Sequence, residues 1–255
     1  SSDLITSSDI SPVIQRIDWT SGTTYAYYQD NIDMFAVDIN GFLINNFYIK
    51  NKYDQVFKCL WNNNGSPATQ EPYFQSGQYG TDNIFYGTDG YKWKYIYTID
   101  TGSKIKFMDT TWIPVPVGQN TPNTEVPIEF GDVEVINVTS GGTGYDPANS
   151  VITVTVTGDG TGATAGVGSV ANGVIQDITV LTPGTNYTYA NVVITSTSGN
   201  NAVAIAPVSP IAGHGYDPLS ELGCFNVMLT CEFNGNEMTN GIPMVPTNDG
   251  NGNPI

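Results

Sequence analysis

An internal repeat limits what this chain of 255 residues can fold into more than any other feature does. Ile136-Asn137-Val138, followed by Gly142-Thr143-Gly144-Tyr145, recurs 42 residues later as Ile178-Thr179-Val180, followed by Gly184-Thr185-Asn186-Tyr187. Each copy is expected to form a strand, a Gly-rich turn with an anchoring Tyr, a second strand and a strand of small residues. Thr, Val and Ile dominate the strands, as a pleated surface prefers. Two copies are fewer than a solenoid needs, so the repeat predicts a small β-sandwich or paired β-layer within a larger fold.

The rest of the chain also has the period of strands. Residues 91–99 place large apolar side chains on one face at period two: Tyr91, Trp93, Tyr95, Tyr97 and Ile99. The other face carries Lys92, Lys94 and Thr98, with Ile96 as the exception. We assign Trp93 and Tyr95 to the core, and a sugar-stacking platform or a protein contact is the alternative.

Shorter signals predict the remaining elements. Asn40-Gly41 predicts a two-residue hairpin between Val37/Ile39 and Phe42/Ile44, and a weak helix signal lies around residues 103–108. Asp217-Pro218 followed by Gly223 predicts a single helical turn. A last alternating strand, expected to rejoin the sheet of the first segment, carries Phe225, Val227, Leu229, Cys231 and Phe233.

These elements predict a mainly β fold with β-sandwich domains and minimal helix. Residues 1–125 form the first part of one β domain, residues 126–210 form an inserted domain made of the two-copy repeat, and residues 211–255 return to complete the first domain. Because the chain ends in a polar loop, we expect the sequence to be part of a longer chain.

The charge distribution excludes some classes of function. Every Lys and Arg lies at or before Lys106, so residues 111–255 contribute −12 of the net charge of −16. Phosphate binding requires Lys or Arg to displace counterions, so neither nucleic acid nor an anionic membrane surface is an expected partner. The acidity serves solubility; a complementary basic partner or bound divalent cations are the alternative. No apolar run reaches the roughly 18 residues that a membrane span needs.

Three motifs are similar to known functional sites, but each lacks a part that the function requires. Residues 158–162 lack the helix that a dinucleotide-binding loop needs and are interpreted as a pair of β-turns. Residues 141–146 resemble the opening of a calcium-binding nonapeptide repeat, but the second copy replaces Asp146 by Thr188. His214 is the sole histidine and is interpreted as a structural loop residue.

The cysteines and carboxylates do not define a site either. Cys59, Cys224 and Cys231 have no metal-ligand spacing and predict reduced, buried thiols in a protein assembled in a cytosol. The many carboxylates select no catalytic pair. The sequence therefore predicts no catalytic residue, no cofactor-binding residue and no metal ligand.

Several fragments of the chain resemble one known family. The most specific fragment is Asp89-Gly90-Tyr91-Lys92-Trp93-Lys94-Tyr95. The others are Ile17-Asp18-Trp19 with Tyr25-Ala26-Tyr27-Tyr28, Val56-Phe57-Lys58-Cys59-Leu60 with Asn62-Asn63-Asn64-Gly65-Ser66-Pro67, and Gly213-His214-Gly215-Tyr216-Asp217-Pro218 with Glu221-Leu222-Gly223. Over about residues 14–110 and 211–233 the chain resembles the T4-type contractile-tail phage baseplate wedge protein, the gene product eight family, in its cyanophage-like version.

The resemblance implies a homodimer of β-sandwich-containing subunits that lies in each baseplate wedge of the virion and grips neighbouring wedge proteins. It implies assembly in the host cytoplasm, no enzyme activity and no cofactor. The chain departs from the family because the Asp-Trp motif comes as early as residue 18, and because the repeat at 130–208 is an insertion. The alternatives are a tail-tip or fibre adhesin that binds host glycan, and a polysaccharide-degrading tail protein.

Overall fold

The computed structural model describes residues 6–76, 82–117 and 131–230, which form a mainly β structure with little helix, as predicted. Its strands, in chain order, are β1 Ile10–Gln15, β2 Tyr48–Lys50, β3 Gln55–Asn62, β4 Ile84–Tyr86, β5 Tyr91–Thr98, β6 Trp112–Pro114, β7 Asn137–Thr143, β8 Ile152–Gly158, β9 Thr164–Ala171, β10 Val174–Thr182, β11 Ala190–Ser196, β12 Asn200–Ile205 and β13 Asn226–Leu229. The helices are a 3₁₀ turn at Ser7–Asp9, α1 at Thr101–Phe107 and α2 at Pro218–Glu221. The two α-helices lie where the sequence predicted them, and the Asp217 side chain accepts the Leu219 N–H at the start of α2.

The first hydrophobic core is built from two antiparallel sheets, of order β2-β3-β5-β4 and β13-β1-β6. β13 pairs with β1 from Leu229 opposite Ile10 to Asn226 opposite Val13, which confirms that the last predicted strand returns to the first segment. Trp93 is buried in this core, as expected. The predicted boundary at residues 125/126 lies outside the described ranges.

A bulge in β5 explains the exception in its alternation. Val56 of β3 pairs with Tyr97, and Phe57 pairs with Tyr95, so Ile96 is an extra residue in the ladder. Because a bulge re-aims the side chains around it, Ile96 and Tyr97 are both buried while Tyr95 is only partly buried against the core.

The hairpin at residues 36–44 differs from the prediction. The Asp38 N–H donates to the Phe42 carbonyl at 2.7 Å, so the loop has three residues and not the two-residue form predicted for Asn40-Gly41. Gly41 has φ +82°, the left-handed conformation that closes a three-residue hairpin loop. The Asp38 carboxylate also accepts the N–H groups of Asn40 and Phe42, which fixes the loop further.

The two copies of the repeat interleave in one six-stranded sheet of order β10-β9-β8-β11-β12-β7. Its outer strands meet at a bridge between Ile136 and Ile178, so the sheet closes around the second hydrophobic core. Thr153 pairs with Thr195 where β8 meets β11. Both pairs join residues that are equivalent in the two copies, so an approximate two-fold axis relates the copies. Each copy takes part of its strand pairing from the other, and the two form one unit.

The anchoring tyrosines cross between the copies. The Tyr145 hydroxyl accepts the Ala202 N–H at 3.2 Å, and the Tyr187 hydroxyl accepts the Ala163 N–H at 3.3 Å. A Cβ on Gly160 would lie 2.4 Å from the Tyr187 ring. The Tyr187 ring therefore packs directly on the Gly-rich loop, and this contact leaves no room for a side chain at Gly160.

Candidate functional site

The two central strands of the four-stranded sheet carry three buried lysines on its second face. Lys58 of β3 and Lys92 and Lys94 of β5 lie under the repeat and the return segment. Lysine is almost never buried unless it is paired. Each of the three has a carboxylate partner from the later part of the chain.

Lys58 is fully buried, and its ammonium meets three groups. Nζ lies 3.1 Å from Glu221 Oε2, 3.0 Å from His214 Nδ1 and 4.0 Å from the centroid of the Tyr28 ring. An ammonium has only donors, so Nδ1 accepts and the ring proton is on Nε2. His214 is therefore a neutral imidazole between a lysine and a tyrosine.

The surroundings of these groups explain their charge states. Burial lowers the pKa of His214, and the Lys58 charge lowers it further. Burial opposes the charge on Glu221, but the Lys58 ammonium beside it favours the carboxylate and lowers the pKa of Glu221. Burial also lowers the pKa of Lys58, against the attraction of Glu221. The cluster thus holds one buried ion pair and one neutral histidine.

The other two lysines bind acidic residues of the repeat. Lys92 Nζ lies 3.0 Å from Asp177 Oδ1, and Lys94 Nζ lies 2.6 Å from Glu134 Oε2. Glu134 Oε1 also accepts the backbone N–H of His214 at 2.5 Å, which connects this pair with the buried histidine. The repeat and the return segment are therefore fastened to the same face of the sheet.

These groups form one charged junction, defined as Lys58, Lys92, Lys94, Glu134, Asp177, His214 and Glu221. Its acids all come from the part of the chain that has no cation of its own. The sequence analysis offered a basic partner as one explanation for the acidity of residues 111–255. Part of that basic charge comes from the chain's own first segment. The three lysines and three acids are paired with one another, and the pairs join the repeat and the return segment to the first core.

The sequence analysis placed His214 in a structural loop but did not bring it together with Lys58 and Glu221. One signal in the sequence could have indicated this contact. Lys92 and Lys94 lie on one face of β5, and all cations precede residue 107, so the acids of the later segment can pair only with the first segment. No local motif states which acid meets which lysine, because the fold of the repeat and the path of the return segment decide that pairing.

The other residues considered from the sequence have structural partners. Asp146 accepts the Ala148 N–H and the Asn149 side-chain amide. Cys59 is buried, and burial raises the pKa of its thiol, whereas Cys224 is only half-buried. Cys231 lies outside the described ranges. Over residues 6–76, 82–117 and 131–230, no three or more His, Cys, Asp or Glu side chains are grouped to hold a metal ion.

A second feature is an apolar surface formed by the hairpin and β13. Its exposed side chains are Val37, Ile39, Phe42, Ile44, Phe225, Val227 and Leu229. Ile39 is 100% exposed and Phe225 is 78% exposed. The two parts adjoin because Phe35 packs against Phe225, with ring centroids 5.9 Å apart, and because Val37 and Phe225 line one crevice. The face predicted for residues 225–233 therefore points to solvent over its described part.

Comparison of the chain with protein-family models, with curated proteins and with solved structures gave no match. None of the helices in the described part of the chain is long and apolar enough to span a membrane.

Proposed function

We propose that this chain is a non-enzymatic structural subunit of a phage contractile-tail baseplate wedge, where it holds neighbouring wedge proteins together. The observation that carries the proposal is the apolar surface. Exposed side chains as large as Ile39 and Phe225, held together on a defined hairpin and an edge strand, are typical of a surface that another protein covers. The hairpin and β13 lie within the span, about residues 14–110 and 211–233, over which the chain resembles the wedge family.

The charged junction supports the same role from inside the subunit. A subunit that keeps its neighbours in register must keep its own parts in one orientation. Sliding the repeat over the sheet would separate Lys92 from Asp177 and Lys94 from Glu134. Because Lys92, Lys94 and Glu134 are mostly buried and would be left without their counterions, the junction resists such movement. In this role the chain forms a homodimer, contacts other wedge proteins in the virion, and uses no cofactor, nucleic acid or membrane.

Co-assembly tests the proposal. The purified chain, alone and mixed with the other wedge proteins of the same particle, is analysed by size-exclusion chromatography with light scattering. We expect a dimer and a mixed complex. Ile39→Asp and Phe225→Asp should each weaken the mixed complex at least about tenfold, because a charge enters a desolvated contact. Val151→Asp, at a residue of the repeat that is 77% exposed, is the matched control and should assemble normally.

Normal assembly of both apolar-surface variants would remove the observation on which the proposal rests. A chain that forms no complex with any wedge protein would contradict the proposal itself.

The second candidate is a tail-tip or fibre adhesin that binds host glycan. It is favoured by Tyr189 and Asn191, which are exposed on the repeat beside a cleft. Retention of the chain on host envelope polysaccharide, without any complex with wedge proteins, would favour this candidate over the first.

A further inference from the structure

A cleft of about 470 Å³ lies between residues 27–31 of the first segment and strands β11 and β12 of the repeat. This volume is in the range of clefts that bind small molecules. Part of the lining is apolar and comes from Ala190, Val192 and residues 204–207. The cleft shares no lining residue with the charged junction or the apolar surface.

Each wall of the cleft contributes one tyrosine. Tyr27 comes from the first segment, and its ring is held edge-on against Trp61 with the centroids 5.0 Å apart. Tyr189 comes from the repeat and is 54% exposed. The Tyr189 N–H donates to the Asp159 carboxylate at 3.3 Å, which fixes the backbone at this position. The two rings are therefore presented from backbone that is already ordered.

The first wall also offers polar side chains that folding has not used. Gln29, Asp30 and Asn31 are consecutive and line the cleft. Over the described residues, no hydrogen bond or ion pair engages the side chain of any of the three. Together they supply amide donors and both amide and carboxylate acceptors.

This combination fits a sugar better than other small ligands. A pyranose ring has an apolar C–H face that packs on an aromatic ring, and a rim of hydroxyls that donate and accept hydrogen bonds at once. Planar amides and a carboxylate match such hydroxyls in pairs. Among the described residues that line the cleft, Asp30 is the one charged group and none is a cation, and the chain carries −16. Anionic polysaccharides are therefore repelled, and a sugar without acidic groups is accepted.

We propose that this cleft binds a neutral saccharide, with Tyr189 and Tyr27 as stacking surfaces and residues 29–31 as hydroxyl partners. The proposal does not depend on the wedge assignment. It rests on the same cleft as the adhesin candidate and specifies the ligand class of that candidate. Failure of the saccharide test would therefore count against the adhesin, whereas a wedge subunit can carry or lack such a site and is tested separately by co-assembly.

The test uses the whole chain and a panel of immobilised neutral oligosaccharides of glucose, galactose, mannose and N-acetylglucosamine, with alginate and heparin as anionic probes. Any neutral oligosaccharide that is retained is then titrated in solution by ligand-observed saturation-transfer NMR. We expect at least one neutral oligosaccharide to bind and both anionic polymers to be excluded. Tyr189→Ala and Asn31→Ala should each weaken binding about fivefold, which corresponds to about 1 kcal/mol for a stacking ring or a paired hydrogen bond.

Tyr53→Ala is the matched control, because Tyr53 is 53% exposed but lies outside the cleft. This variant should bind as the unmodified chain does. Tyr27→Phe keeps both the ring that stacks on the sugar and the packing on Trp61, and should therefore bind as the unmodified chain does. Failure of the whole neutral panel, retention of the anionic polymers alone, or equal binding by the Tyr189 and Tyr53 variants would overturn the proposal.

Discussion

Replacing Lys58 by Met removes one charge from the most buried ion pair of the molecule's described part. The ammonium is fully buried and lies 3.1 Å from Glu221 Oε2. Met has a stem of similar length, so the substitution leaves little empty space but leaves Glu221 without its counterion. Removing one partner of a buried pair costs about 3–5 kcal/mol because the other charge stays in a medium that cannot solvate it. We therefore expect the free energy of unfolding to fall by about 3–5 kcal/mol.

The chain offers a matched control for this substitution. Lys52 and Glu71 also lie 3.1 Å apart, but the Lys52 side chain is 64% exposed. Lys52→Met should lower the free energy of unfolding by less than about 1 kcal/mol, since an exposed pair gains little over its hydration. The two variants thus differ in burial and not in the chemistry of the substitution.

The assay is urea denaturation at pH 7, followed by tryptophan fluorescence and by far-ultraviolet circular dichroism. All four tryptophans precede residue 113, so fluorescence reports on the first core while dichroism includes the strands of the repeat. The double variant Lys58→Met/Glu221→Gln removes both charges and should be more stable than the sum of the two single losses predicts. If Lys58→Met costs no more than Lys52→Met, the pair is not buried as described and does not fasten the return segment to the first core.

Three further predictions concern separate parts of the fold. Burial lowers the pKa of His214 in the folded chain. Below the usual value near 6.5 the unfolded chain therefore takes up a proton that the folded chain does not, and the free energy of unfolding falls as the pH falls through this range. Urea titrations at pH 7, 6 and 5 should show this loss, and His214→Gln should reduce it. Tyr187→Phe leaves the Ala163 N–H without its acceptor and should cost about 1–3 kcal/mol, while Gly160→Ala, which places a methyl group against the Tyr187 ring, should lower the melting temperature in calorimetry. Ile39→Asp should change the free energy of unfolding by no more than about 0.5 kcal/mol in the isolated chain, because Ile39 is fully exposed; a larger loss would mean that Ile39 packs within the subunit.

The local sequence pattern was sufficient to predict elements that depend on a single strand or a single turn. The alternation in residues 91–99 predicted β5 and the burial of Trp93, and the cap at Asp217 predicted α2. In the sequence, the bulge at Ile96 was visible only as one apolar residue on the polar face of the strand, because a bulge depends on the pairing with the partner strand. The three-residue loop closed by Gly41 was missed since both loop lengths use a glycine at that place.

Long-range features depended on pairing that no single segment encodes. The offset of 42 residues identified the repeat, but not that Ile136 would meet Ile178 and so close the sheet. Symmetry provides the physical reason, because equivalent residues of two like copies meet wherever a two-fold axis passes. The charged junction was hidden for a related reason. Its lysines and its acids lie on different segments, and only the tertiary fold brings them into contact.

The separation of charge along the chain has a consequence for how the parts assemble. The described repeat has no cation, so its acids cannot form ion pairs with one another and can do so only with the first segment. A buried charge is tolerated only where an oppositely charged group lies beside it. Lys92 and Lys94 therefore select one orientation for the docked repeat. The acids left unpaired give the outer faces a common negative charge, which discourages contact between copies there. The seven side chains of the apolar surface carry no charge, and the carboxylate of its hairpin loop, Asp38, accepts the N–H groups of Asn40 and Phe42. Another protein can therefore approach this surface with less of that penalty.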